Sequence, residues 1–386
     1  MVKIEKIIPG GFGLGTNEDG KKGFFWNALP GEIVTDYNVT KSKTHYFEAI
    51  ATKLDNISAY RRQPKDDCYL STSPWQIFDY DYELSQKQQL VVELFLEQKI
   101  SINTPEIYTD NRDYLYRNKM EYALYWDKES SNIKLAFHTR GSHRKIPISS
   151  SSIERPELFK KAQEIINDLN SRHEEARKYQ SLLLRANQKG EVSGGLYENH
   201  KPHPKFKNLT DIILGHEYLY SPNGFFQINL PVYEMALKEI KEHIETDNVL
   251  DLYAGVGTIG LSVASDKHLT LVEVDKSAFT ELEKNCLGEH NNTPIAVLSK
   301  SEDALSYIAS NQTVILDPPR AGCDKKLIDR LNEVKPTTII YLSCNPATQA
   351  RDVKLLLDNY SIKDVKTYNF FPHTPHIENL VILQKS

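Results

Sequence analysis

Four short segments of this chain set chemically competent side chains beside residues that force the backbone out of regular structure. The first runs Val249-Leu250-Asp251-Leu252-Tyr253-Ala254-Gly255-Val256-Gly257-Thr258-Ile259-Gly260: an apolar strand that enters a turn where glycines let the backbone approach a ligand closely. It differs from a dinucleotide fingerprint because the strand ends in an acid ahead of Gly255, Gly257 and Gly260, and no phosphate-gripping lysine follows as a P-loop requires. Glu273 ends the next apolar stretch, where a carboxylate can accept both hydroxyls of a ribose. An acid at that place without a phosphate cradle suits S-adenosylmethionine. A tight turn in some other α/β protein is the plainer reading of the same residues.

In the second segment, Leu316-Asp317-Pro318-Pro319-Arg320-Ala321-Gly322, two prolines directly after a strand stop the ladder and project Asp317 into a cleft, unless Asp317 is simply a helix cap. The third, Tyr341-Leu342-Ser343-Cys344-Asn345-Pro346, brings a cysteine out at another strand end. A lone cysteine is most often a small hydrophobe, but one leaving the sheet on the side where Asp317 emerges is a candidate nucleophile, given a base or a lowered pKa. The fourth, Phe371-Pro372-His373-Thr374-Pro375-His376-Ile377-Glu378-Asn379-Leu380, places Glu378 at the entrance of a final strand near the same cleft, a surface loop being the alternative. Its histidines have no third ligand at matching spacing, so no metal is expected.

The elements that must position these residues are readable from pattern. From Val249 onward, short buried strands (VLDLYAG, LTLVEVD, TVILDPPR, TIIYLSCN) alternate with helical stretches, which predicts an α/β domain with a doubly wound, mostly parallel sheet and its ligands at the strands' carboxyl ends. From Lys3 to about Ile57, short alternating stretches broken by glycines predict a small β-barrel. Between them the spacing predicts a helix over 85–97, mixed strand and turn over 108–125, a helix from Pro156 to about Arg177, and a hairpin of 182–186 with 192–198. Three units are expected: 1–60, a central α+β unit 61–220, and 221–386.

Composition adds limits. The chain has 386 residues, 40% hydrophobic and 26% charged, which excludes a mostly disordered protein and calls for several domains. There is no apolar run near membrane-spanning length and no signal peptide at MVKIEKIIPGGFG, so a cytoplasmic protein without membrane attachment is expected. Cys68, Cys286, Cys323 and Cys344 lie far apart with no CxxC pair and read as free thiols. A net charge of -5 gives no global sign of nucleic-acid binding, so any basic surface must be local.

Together these motifs resemble the RNA (uracil-5-)-methyltransferase family, the enzymes forming 5-methyluridine in tRNA or 23S rRNA. DLYAGVGTIGL, LDPPRAG, SCNPATQARD and HTPHIE occur in family order, preceded by Phe225-Phe226-Gln227-Ile228-Asn229 in place of its FFQxN element. Tyr116-Arg117-Asn118-Lys119 is similar to its YRNK segment, and residues 3–57, with Leu29-Pro30-Gly31-Glu32, to its TRAM barrel, an OB-like RNA-binding module. The resemblance implies a Rossmann-like S-adenosylmethionine-dependent methyltransferase domain, RNA as partner, and a monomer. It implies Cys344 as nucleophile and Glu378 as base, with Gln227, Tyr253, Thr258, Glu273 and Asp317 lining the cofactor and target-base site. Relatives with a 4Fe-4S cluster hold it through four cysteines between barrel and central unit; here Cys68 stands alone, with Ser71, Ser73, Pro74 and Trp75 nearby, so no cluster is expected.

The chemistry of such an enzyme explains the residue types. C5 of uracil is a poor nucleophile until a soft thiolate adds to C6, and a carboxylate must then take the C5 proton so that the thiol can leave. Asp317 would polarise the uracil edge as charge develops on O4, and the uridine must be flipped from its stack. Two other readings stay open: an RNA cytosine-C5 methyltransferase, and an inactive RNA-binding scaffold. Tyr114, Tyr116, Arg117, Lys119, Arg140, His143, Arg144 and Lys145 are candidate RNA contacts, a solvated strand face being the alternative.

Overall fold

The computed structural model describes residues 1–203, 205–288 and 292–386. At the N-terminus, β1 (Val2–Ile8), β2 (Phe12–Thr16), β3 (Lys22–Trp26), β4 (Ile33–Ser42) and β5 (Tyr46–Asp55) close into a barrel in the order β1-β2-β3-β5-β4. Alternation sends Val2, Ile4, Phe25, Val34, Phe47 and Ala49 inward to fill it. The β1–β2 turn needs glycine twice, because Gly10 and Gly11 both take φ of +91°. Glu32 of the LPGE segment is fully buried and held by both arms of Arg61 at 2.7 Å, which ties the barrel to the chain leaving it.

After a single turn α1 (Tyr69–Thr72), α2 (Tyr80–Glu97) starts at Asp79, whose carboxylate caps Tyr82 N–H, and buries Leu90, Val91, Leu94 and Phe95 on one face as their spacing predicts. The short β6 (Glu106–Tyr108) follows. The central sheet contains β7 (Lys119–Asp127), β8 (Asn132–His138) and β9 (Lys145–Pro147), then, beyond α3 (Pro156–Ser171), β10 (Ser181–Ala186), β11 (Val192–Glu198) and β12 (Lys201–His203). Its order is β12-β11-β10-β7-β8-β9, and α3 covers it through Leu158, Ala162, Ile166 and Leu169. The expected helix to Arg177 ends at Ser171 instead: the apolar periodicity stops at Leu169, and His173 turns the chain left-handed at φ +54°.

A hairpin of β13 (Leu209–Ile213) and β14 (His216–Tyr220) leads into α4 (Leu230–Glu242). The rest alternates: β15 (Asn248–Leu252), α5 (Thr258–Val263), β16 (His268–Glu273), α6 (Lys276–Asn285), β17 (Ile295–Leu298), β18 (Gln312–Leu316), α7 (Lys325–Val334), β19 (Thr338–Ser343), α8 (Pro346–Leu356), β20 (Tyr360–Tyr368) and β21 (Glu378–Lys385). The sheet order is β17-β16-β15-β18-β19-β21-β20-β6, parallel from β17 to β19, with β21 antiparallel between β19 and β20. β6, from the segment after α2, pairs with β20 as the edge strand, so the middle of the chain is built into the C-terminal sheet. Chain order reverses at β15, between β16 and β18, which opens a crevice at the strands' carboxyl ends. Among the described residues, no helix is long and apolar enough to cross a membrane.

Candidate active site

The topology brings the carboxyl ends of β15, β16, β18 and β19 and the start of β21 to one edge of the sheet. β21 runs antiparallel to β19 with Ser343 opposite Asn379; one step further along the same register sets Cys344 opposite Glu378. On the other side of β19, the parallel pairing of Leu316 with Tyr341 carries Asp317 out beside them. Residues 61 positions apart in the chain thus share one strand end, through an inserted antiparallel strand that no local pattern announces.

These groups act on one another. Burial first, then the Glu378 and Asp317 carboxylates, push the Cys344 thiol up to about 11, opposed by the Arg320 guanidinium beside it. Burial and Asp317 hold the Glu378 carboxyl well above the usual carboxylate range, again against Arg320. Burial alone pushes Asp317 up to about 7. Among the described residues, no hydrogen bond acts on either carboxylate, so both keep their acceptor capacity for a ligand. Cys344 is partly exposed and lines a groove of about 320 Å³. The groove's other walls come from Arg320, His376 and Asn345, from Pro9, Gly10 and Trp26 of the barrel, and from Arg140 of the central sheet. The thiol is therefore accessible at a junction of all three parts of the chain.

The glycine turn forms the second half of the site. Tyr253, Gly255 and Gly257 take φ of +68°, +58° and +91°. A Cβ added at Gly255 would meet nothing, whereas one at Gly257 would strike Leu282 at 2.7 Å and one at Gly260 would strike Asp251 Oδ2 at 2.9 Å. Gly255 therefore borders open space, and the other two glycines serve packing. Glu273 Oε2 accepts from Gly255 N–H at 2.7 Å, while Oε1 accepts from Val274 and Asp275. Oε2 keeps a lone pair for a ribose hydroxyl next to that space. Thr258, the first residue of α5, is bonded to the Tyr233 hydroxyl at 2.9 Å, and Tyr233 lies within the influence of Asp317 and Asp251. This donor set, an open glycine floor with a buried carboxylate beside it, fits an adenosine-bearing cofactor.

The remaining expected residues are placed differently. Tyr253 turns its side chain toward Ser301 and Cys323, into a neighbouring groove beyond the Asp317-Pro318-Pro319 turn. Gln227 is buried, and its backbone carbonyl accepts from Asn118 Nδ2 at 3.2 Å; its side chain makes no hydrogen bond among the described residues. Of the candidate RNA contacts, Tyr116 is buried with its hydroxyl on Pro372 O, while Lys119 is half-buried with its Nζ engaged by the carbonyls of Asn223 and Gly224. His143 and Arg144 are exposed. The two tail histidines part company: His373 lies between Glu83 and Asp113, and His376 Nδ1 is bonded to Arg320 at 2.9 Å.

Sequence reasoning missed Tyr233 and Trp26. Tyr233 sits on the apolar face of α4 and reads as core; Trp26 reads as barrel filling. Arg320 had a signal, since it directly follows the two prolines that aim Asp317.

Residues 214–386 match the model of the tRNA (Uracil-5-)-methyltransferase family. An uncharacterized RNA methyltransferase of Nanoarchaeum equitans is 29% identical over 445 aligned positions, covering 100% of this chain and 93% of its own length. One from Prochlorococcus marinus is 27% identical, covering 92% of this chain and 99% of its own. The fold matches that of the Pyrococcus abyssi tRNA (uracil-54, C5)-methyltransferase in complex with S-adenosyl-L-homocysteine, with a TM-score of 0.76, 23% identity, and 99% and 100% of the two chains covered.

Proposed function

With residues 214–386 a domain of the tRNA (uracil-5-)-methyltransferase family and the chain an RNA methyltransferase, we propose that it methylates C5 of a uridine in structured RNA through a covalent bond between Cys344 and C6. The observation that carries this reading is the facing of Cys344 and Glu378 across β19 and β21, with Asp317 beside them and a groove giving access to the sulfur. The division into 1–60, 61–220 and 221–386 belongs to the same reading, with RNA held between the first two parts and the third.

Gly255 and Glu273 would hold S-adenosylmethionine, which would supply an electrophilic methyl group. The residues of the chain do the rest. Cys344 Sγ, partly exposed in the groove, gives its proton to solvent and bonds to C6, and the C5–C6 π pair moves toward C5 and O4. Asp317, with its carboxyl near neutrality, is suited to donate a hydrogen bond to that oxygen. After C5 has taken the methyl group, Glu378 removes the C5 proton; the pair left behind restores the C5–C6 double bond and expels the Cys344 thiolate. A buried carboxylate with a raised pKa and no hydrogen-bond partner is a stronger base than an exposed one. Thr258 and Tyr233 fix the start of α5 against α4 and so hold the glycine turn in place.

The test uses the full chain, radiolabelled methyl donor and tRNA and rRNA transcripts, with tRNA first because the fold neighbour is named for a tRNA uracil. Nucleoside analysis should give 5-methyluridine; 5-methylcytidine would favour the cytosine alternative. Cys344→Ala should abolish turnover, and Glu378→Gln should accumulate an RNA adduct that survives denaturation. Wild-type turnover by the alanine variant would remove the mechanism, and failure to bind S-adenosylmethionine would revive the scaffold alternative.

A further inference from the structure

The groove that holds Cys344 also gathers two guanidiniums that, among the described residues, have no carboxylate within ion-pair distance, although Arg320 feels the nearby Glu378 and Cys344. Arg140 lies over the Trp26 ring, with Cζ 4.2 Å from its centroid, and donates Nε–H to the Leu70 carbonyl. Among the described residues its other two guanidinium nitrogens have no hydrogen-bond partner and no carboxylate pairs with it; burial lowers its pKa with no acid opposing. Arg320 gives one N–H to His376 and likewise has no ion-pair partner. Several arginines elsewhere are satisfied by acids, as Arg61 by Glu32, Arg155 by Glu157 and Arg351 by Asp352, and the buried Arg185 by backbone carbonyls. In a chain of net charge -5, unpaired guanidiniums concentrated in the groove of the candidate nucleophile call for an anion from outside.

His376 has the matching character. Burial, then Arg320, Lys87, Arg117 and Arg140, hold it down to about 4, so it is neutral at physiological pH. With Nδ1 accepting from Arg320, its proton sits on Nε2, which leaves a neutral donor rather than another charge.

We propose that Arg140, Arg320 and His376 form a phosphate subsite that grips the RNA phosphodiester adjacent to the extruded uridine, with Trp26 of the barrel presenting Arg140. This rests on the function proposed above and adds to it the anchor that registers the strand. A guanidinium offers two parallel donors that match two phosphate oxygens, and its seat over Trp26 together with the Leu70 hydrogen bond restrains it beforehand, so little side-chain freedom is lost on binding. The barrel then contributes to the reaction without touching the target base.

The experiment compares wild type with Arg140→Met, which keeps the stem against Trp26, and Arg140→Lys, which keeps the charge but not the fork, in steady-state methylation of a tRNA transcript over a range of salt. Arg140→Met should raise KM for RNA about tenfold or more with kcat within about twofold, the worth of one bidentate charge-assisted contact. It should also flatten the salt dependence of binding by close to one phosphate. Arg140→Lys should restore the salt slope but only part of the KM. Affinity for S-adenosylmethionine and the thermal midpoint should stay at wild-type values, which separates a lost phosphate contact from a loosened barrel. Wild-type KM and salt slope in Arg140→Met would overturn the subsite while leaving uridine methylation intact; a wild-type enzyme that makes no 5-methyluridine would overturn the underlying reading instead.

Discussion

Replacing Glu378 with glutamine should make Cys344 more reactive, although the variant cannot complete turnover. The thiol stands at about 11 against an ordinary value of 9.0 because of burial, Glu378 and Asp317, in that order. At pH 8 this leaves about one thiol in a thousand ionised, where an ordinary one would be about one in ten. Burial is the largest cause and survives the substitution, so removing the Glu378 charge recovers less than half of the difference, at most about a tenfold gain in thiolate. Because a thiolate loses intrinsic nucleophilicity as its pKa falls, the gain in alkylation rate shrinks to about threefold. Glu378 is itself held well above the usual carboxylate range, so it gains charge as pH rises; the gap between variant and wild type should be small near pH 6 and widen toward pH 9. The assay is iodoacetamide labelling across that range, read by peptide mass spectrometry. Cys286, also at about 11 but through burial and Glu283, is the internal reference and should not change. Asp317→Asn should act in the same direction, and Arg320→Met in the opposite one. Equal or slower labelling of Cys344 in Glu378→Gln at every pH would mean that the two groups do not face each other, and the site as described would be wrong.

Other expectations follow from packing. Lys87 and Glu83 are an ion pair with no exposed surface, and Lys87 also donates to Asn369 Oδ1 and Phe371 O at the base of the catalytic tail; Lys87→Met should cost about 3–5 kcal/mol in denaturant unfolding, partly recovered by adding Glu83→Gln. At Gly11, φ is +91° and a Cβ would lie 2.4 Å from Pro375, so Gly11→Ala should push the barrel turn off the tail and lower methylation more than it lowers the thermal midpoint. Gly194→Ala should be severe, about 3 kcal/mol or more, because its φ is +133° and a Cβ would lie 2.1 Å from Leu183 O. Gly20→Ala, with open space and φ of +76°, should cost only about 1 kcal/mol, and equal midpoints for the two variants would contradict the packing. Glu273→Ala should weaken S-adenosylmethionine binding, measured by calorimetry, and free the amides of Gly255, Val274 and Asp275 to faster hydrogen exchange.

Much of this molecule was legible in one dimension, for reasons that are themselves local. Alternation and glycine turns specify the strands of the barrel, though its closure takes the non-neighbour pairings of β1 with β4 and of β3 with β5; apolar strands between helical stretches specify the parallel sheet, and prolines after Asp317 specify a strand exit whatever surrounds it. What the residue order could not express was proximity. That Cys344 faces Glu378 depends on β21 inserting antiparallel between β19 and β20, a long-range choice of partner. That β6 joins the C-terminal sheet, that Tyr116 is buried and Lys119 is tied to the Asn223 and Gly224 carbonyls, and that Trp26 carries Arg140 to the nucleophile's groove depend on how separate parts of the chain pack. Periodicity encodes which face of an element is buried; against what it is buried is decided only when the layers meet, and with it the charges that set each pKa at this site.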